Sequence, residues 1–277
     1  MKFLILFLIT TPAWSMFLYP AGTGKCPGAY IAKNQDGSNL RLDVYSSQGV
    51  LKTSYDKMET KLSFITDHLA KNMDILMLST ELCYGFYNDA QTTGDNALAM
   101  QTEGDVKYHL ILGANFVNQI RYKADEYISQ KLQRIKHGLE VSGLNKEAVE
   151  DFLFYHEFSH IVQYLHKPDL KAGTDKKREL HADCMAGFFI TIDRHQHGMY
   201  FYDQASVEAS SKIFAYGLGD LGIFEKGHHG THDQRALATQ VGQTLANNYK
   251  DYNPEKLSSK QISDKCLEVM NKTVELY

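Results

Sequence analysis

Apolar and polar positions change period along this chain, and the changes mark its elements. After an irregular Gly-rich stretch over residues 21–28, Leu40, Leu42 and Val44 alternate with polar neighbours, which predicts a short strand with one buried face. Residues 51–71 switch to helical spacing, with Tyr55, Met58, Leu62, Ile65 and Leu69 on one side. Residues 75–78 form a short apolar run suited to a buried strand, and residues 83–94 read as a polar loop containing aromatics. Residues 96–100 and 107–112 predict two strands joined by Thr102, Glu103, Gly104 and Asp105, which have hairpin chemistry. Asn115 then caps a helix expected to run to about His137 and to end at Gly138.

The second half is nearly all helical in period. Asn145 is a good N-cap, and Leu144 and Val149 stand at the two positions of a hydrophobic staple. The helix they open is expected to run from Lys146 to His166, because Pro168 disfavours helix at Lys167. Residues 178–187 predict a second helix. Thr231 and Gln234 form a capping-box signature for a third, from His232 to about Tyr249. The fold class expected is α+β, with a small sheet in the N-terminal half and a mainly helical second half. No repeat and no linker cuts the chain, so residues 16–277 are expected to form one domain.

Residues 1–15 differ in kind. Lys2 precedes an apolar run over residues 3–9, and Ala13 and Ser15 stand at the small-residue positions of a cleavage site ahead of Met16. This is the pattern of a secretory signal peptide, and the run is much shorter than the roughly 20 residues a membrane span needs. The mature protein is therefore expected to be exported, to the periplasm or the exterior, with no stable membrane span. Export makes one or two disulfides among Cys26, Cys83, Cys184 and Cys266 reasonable, but four cysteines allow three pairings and spacing does not choose among them.

With 277 residues and a net charge of −4, the chain has length for a real core and no basic excess to attract nucleic acid. It has 12 histidines, and they crowd into the second half. Inside the 146–166 helix, His156-Glu157-Phe158-Ser159-His160 places two imidazoles one turn apart on one face, where both can offer a nitrogen to one tetrahedral zinc. Glu157, about 100° round the helix, can reach a water there without ligating the ion. Phe152, Leu153, Phe154, Phe158, Ile161, Val162 and Leu165 make this helix apolar nearly all round, which argues against a solvated His/Glu face.

A catalytic zinc takes three protein ligands and keeps one position open. In the next helix Glu179, Asp183 and Ala186/Gly187 share a face, and Ala182, Ala186 and Gly187 remove the bulk that would keep a neighbouring helix away. Glu179 is the expected third ligand, and Asp183 is placed to accept the outer N–H of a ligand histidine. His181 is the alternative ligand, on a different face. Loop residues His229 and His232 could donate to the charge that develops on a carbonyl, or could simply pack the loop.

The arrangement H-E-x-x-H followed by E-x-x-x-D resembles that of the thermolysin-like metallopeptidases called gluzincins. More narrowly, His156-Glu-x-x-His160-x-Val162-Gln163, Glu179-Leu-x-Ala-Asp-Cys-x-Ala-Gly187 and His229-Gly-Thr-x-Asp-Gln-Arg235 resemble the bacterial neutral zinc metallopeptidase family over residues 145–250. The resemblance implies a zincin-type active-site helix and places His229 and Arg235 in the cleft or its packing. Asn96-Ala97-Leu98-Ala99 is similar to the edge-strand region of CAAX prenyl endopeptidase-type gluzincins. Ser159 stands where the narrower family often has glycine, Asp233 replaces a frequent glutamate, and the segment 161–178 is short for it; none of these is a ligand position.

The expected function is peptide hydrolysis with one zinc per chain on His156, His160 and Glu179, and with Glu157 as general base to the zinc-activated water. A peptide or protein is the expected substrate, and it could lie along residues 96–100 as an added strand. Two other readings use the same residues: an exported zinc-binding or scaffolding protein without turnover, and a zinc amidase acting on non-peptide amides. The intact Glu157 argues against the first, since a structural site needs no base.

Overall fold

The computed structural model describes residues 19–20, 29–33, 39–45, 60–61, 82–87, 97–101, 108–113, 116–117, 119–120, 122, 146–166, 170, 175–197, 230–249 and 258–273. The leader over residues 1–15, the Gly-rich stretch 21–28, the strand at 75–78, the hairpin turn, Cys26, His229 and most of the helices expected over 51–71 and 115–137 lie outside these residues. Residues 60–61 and those described between 116 and 122 are helical, as expected. Strands come first and helices after, in two compact units, 1–117 and 118–277.

The first unit holds six strands: β1 (Tyr19–Pro20), β2 (Ala29–Lys33), β3 (Asn39–Tyr45), β4 (Leu82–Tyr87), β5 (Ala97–Gln101) and β6 (Tyr108–Gly113). They form one sheet in the order β1-β2-β3-β4-β6-β5. The 40–44 alternation falls inside β3, and the two strands expected around 96–112 pair antiparallel as β5 and β6, Ala99 opposite Leu110. One expectation needs correction. Residues 83–87, expected as the start of a loop, belong instead to β4, which runs parallel to β6 in register Leu82 to Tyr108. Tyr84, Phe86 and Tyr87 favour a pleated backbone, and the distant partner strand supplies the ladder that local polarity did not reveal. Tyr108, Leu110 and Leu112 are buried, as are Ala97 and Ala99 on β5, the strand at one end of the order.

The second unit holds four described helices, α1 (Lys146–His166), α2 (Asp175–His197), α3 (His232–Tyr249) and α4 (Ser259–Thr273). Helix α1 has the expected bounds, and residues 149–163 are buried without a break, as its all-round apolar character requires. It packs on α2 through aromatics: Phe158 meets Phe189 edge-on at 5.6 Å, and Tyr155 stacks on Phe189 at 6.1 Å. Tyr155 Oη also donates to Asp193 at 2.6 Å.

The small residues of α2 do bring a backbone close, and the neighbour is α3. A Cβ on Gly187 would stand 2.3 Å from the Thr239 carbonyl oxygen, and one on Gly242 would stand 1.8 Å from that of Cys184. Two helices meeting at this distance fix each other's height and rotation. Helix α3 starts with the expected capping box, in which Thr231 N–H donates to Gln234 Oε1 at 3.1 Å and Gln234 N–H to Thr231 Oγ1 at 3.3 Å. Gly230 before it has φ +101°, a conformation few other residues adopt. Helix α4 buries Ile262, Cys266 and Met270 along one side, and Cys266 is joined to Cys184 of α2 by a disulfide with Cα atoms 5.8 Å apart.

Candidate metal centre

His156 and His160 stand one turn apart on α1, and Glu179 comes from the second turn of α2. One ligand atom from each lies within 4.8 Å of the others. His156 Nε2 is 3.1 Å from Glu179 Oε2 and 3.2 Å from His160 Nε2, and His160 Nε2 is 3.5 Å from Glu179 Oε1. Atoms held 2.0–2.1 Å from a tetrahedral ion stand roughly 3.3 Å from one another. The two nitrogens stand near that spacing, and each of them stands near it from one of the two Glu179 oxygens. All three residues are buried, and among the described residues Glu179 Oε1 has no hydrogen-bond partner closer than His160 Nε2 at 3.5 Å. A buried carboxylate oxygen left in that state suits a cation. The group could therefore hold a metal ion.

The outer nitrogens explain why the inner ones converge. His156 Nδ1 lies 2.9 Å from Asp183 Oδ1. Asp183 is held ionised: burial opposes its charge, but Arg235 outweighs burial and keeps the carboxyl below its usual range. An ionised carboxylate only accepts, so the His156 proton sits on Nδ1 and Nε2 turns to the centre. Arg235 grips the same carboxylate twice, Nε to Oδ2 at 2.7 Å and Nη2 to Oδ1 at 2.9 Å. His160 Nδ1 lies 2.9 Å from Gln163 Oε1, which likewise accepts.

Two bare Nε2 atoms 3.2 Å apart require positive charge near them. In the metal-free protein a proton supplies it. Burial disfavours charge on His156, yet its hydrogen bonds to Asp183 and Glu179 outweigh burial and raise its pKa to about 9. Glu179 moves the other way: burial opposes its charge, but His160 and the bond from His156 hold it well below the usual carboxylate range. Glu157 is buried beside them with its pKa raised by burial, against the downward pull of His160 and His156.

His156, Glu157, His160, Glu179, Asp183 and Arg235 are thus brought together around one point. Arg235 takes a buried place on Asp183. His229 and the side chain of His232 lie outside the described residues, as do the side chains of His195 and His197. His181 is not among the converging donors: it is fully buried, neutral because burial lowers its pKa to about 4, and bonded to Gln163 and to the Ser263 carbonyl. Gln163 is the residue that spacing could have marked, three positions after His160 on the same helix face.

No family model, no curated protein and no solved structure matches the chain.

Proposed function

We propose that the chain is an exported zinc-dependent metallopeptidase of the gluzincin type, with α1 as its zincin-type active-site helix. The observation that carries this reading is the convergence of His156 Nε2, His160 Nε2 and a Glu179 oxygen beside a buried Glu157. Two neutral imidazoles and one carboxylate are the donor set of hydrolytic zinc sites that keep a fourth position free. His156, His160 and Glu179 would hold one zinc per chain, and when bound the ion supplies Lewis acidity, which acidifies a water and polarises a carbonyl.

The chain's own residues do the rest. Glu157 takes the proton from the attacking water on its carboxylate and passes it to the departing amine nitrogen. Its raised pKa makes it a better proton acceptor than an exposed glutamate. Asp183, locked by Arg235, keeps His156 turned to the centre. The Cys184–Cys266 disulfide favours an oxidising compartment, which agrees with the signal peptide expected at residues 1–15. Among the described residues, no helix is long and apolar enough to cross a membrane.

The test compares the wild type with Glu157→Gln on a peptide library, with zinc content measured in both and a chelated control. The expected result is zinc in both and a loss of 10²–10⁴-fold in cleavage for the variant. Equal cleavage would remove the catalytic role. Zinc in the wild type without peptide cleavage would turn the reading to a binding protein or to an amidase with non-peptide substrates.

A further inference from the structure

Gln163 and His181 lie behind His160, at 5% and 0% exposure. Gln163 Nε2 donates to the Arg178 carbonyl at 2.8 Å and stands 2.9 Å from His181 Nδ1. Its Oε1 stands 2.9 Å from His160 Nδ1, and His181 Nε2 stands 2.9 Å from the Ser263 carbonyl of α4. Two backbone carbonyls decide every proton in this chain, because a carbonyl only accepts. Arg178 O turns the Gln163 amide nitrogen towards itself and so turns Oε1 towards His160. Ser263 O draws the His181 proton to Nε2, which leaves His181 Nδ1 to accept the second N–H of Gln163. His160 then carries its proton on Nδ1 and presents Nε2 bare to His156 and Glu179.

We propose that Gln163 and His181 are positioning residues that hold His160 in the tautomer and orientation able to ligate the metal. The proposal rests on the metal-centre reading. A free imidazole exchanges its proton between both nitrogens, and the wrong tautomer puts an N–H where the ion must bind. The two ligand histidines are fixed by separate devices, His156 by the ion pair of Asp183 and Arg235, His160 by a neutral amide. Charge explains the difference. With a divalent ion, the carboxylates Glu157, Glu179 and Asp183 and the guanidinium of Arg235 paired with Asp183 sum to zero, so a further buried carboxylate behind His160 would add a negative charge to that balance. An amide orients the ring without adding charge, and a neutral His181 orients the amide.

The test uses the full chain, stripped of metal and titrated with zinc against a competing chelator. Gln163→Leu and His181→Phe are expected to weaken zinc binding 10–100-fold, the range for outer partners of ligand histidines. His181→Gln, which offers both an acceptor and a donor, is expected to restore most of it. Nitrogen NMR of labelled histidines in the metal-free chain at neutral pH reads the tautomer directly: His160 carries its proton on Nδ1 in the wild type and exchanges between both nitrogens in Gln163→Leu. The His181→Phe and His181→Gln pair makes the same comparison without depending on Gln163→Leu folding. Wild-type zinc affinity in both loss variants, or His160 remaining on Nδ1 in both, overturns the proposal. A wild type that binds no zinc sinks the metal reading instead, and the tautomer spectrum still decides whether Gln163 and His181 hold the ring.

Discussion

His156 and His160 face each other through their Nε2 atoms at 3.2 Å, with the other nitrogen of each ring already bound. Such an arrangement is stable only with a positive charge between the rings. A proton and a metal ion therefore compete for one place, and the surrounding residues are arranged so that either is welcome.

That competition sets a pH dependence. Without metal, His156 holds its second proton up to about pH 9, and an ion must displace it. Below that pH, zinc affinity should fall by about tenfold for each unit of acidification, and near neutrality about one proton should be released per ion bound. Zinc titration in weakly buffered solution with a pH indicator measures the release. An affinity that is flat between neutrality and pH 9 would show that the proton lies elsewhere.

Arg235 should matter through Asp183 rather than through any contact with substrate. Both side chains are buried and joined by two hydrogen bonds. Removing one partner of a buried pair costs about 3–5 kcal/mol, and His156 Nδ1, still bound to Asp183, holds the loss of Arg235 to the lower end of that range. Arg235→Leu should lose that much in denaturant unfolding, and adding Asp183→Asn should recover part of it. Simple additivity of the two losses would mean that they are not coupled.

The pair also marks how far the residues could be read in advance. His156 and His160 were legible because i, i+4 spacing on a helix is local geometry. Glu179 and Asp183 were legible one step further, as two carboxylates one turn apart on the next helix, although the close approach expected of its small residues is to α3 and not to the histidine helix. Arg235 lies 52 residues from Asp183, and only the resemblance of its segment pointed to it. The tie from Gln163 through His181 to Ser263 depends on where α4 docks, and no spacing within one helix reports that. Strand β4 was missed for the same reason: its ladder partner β6 begins more than twenty residues later in the chain.

The α2–α3 contact predicts a severe substitution. A methyl on Gly242 would overlap the Cys184 carbonyl oxygen, and backbone cannot yield as a flexible side chain can. Overpacking of a well-filled contact costs about 1–3 kcal/mol, and a backbone clash lies at or above the top of that range. Gly242→Ala should therefore lower the unfolding midpoint strongly, and because α3 carries Arg235 it should weaken zinc binding as well. Wild-type stability in this variant would show that the helices stand further apart.

The disulfide should be a large share of the second unit's stability. Cys184 and Cys266 close a loop of 82 residues, for which the chain-entropy relation gives about 4.5 kcal/mol. The Cys184→Ala/Cys266→Ala double variant should lose a substantial part of this in denaturant unfolding. Treatment of the wild type with a thiol reductant should lower its midpoint towards that of the variant. A midpoint unmoved by both would show that the bridge carries no load.

Acid should act through His181. Its ring takes a proton near pH 6.5 when the chain is unfolded but only near pH 4 when folded, because burial disfavours the charge. Between those values the unfolded chain binds more protons, so stability falls as pH falls, by about 3 kcal/mol across the whole window. The carboxylates held low by their partners, Glu179 and Asp183, also lose stability on acidification, so the wild-type curve alone does not isolate the histidine. His181→Gln has no proton to take up and should keep the carboxylate part alone. The difference between the two unfolding curves, measured from pH 4 to pH 6.5, should therefore carry the histidine's slope. Parallel curves would place the acid sensitivity in other groups and leave His181 without a role in it.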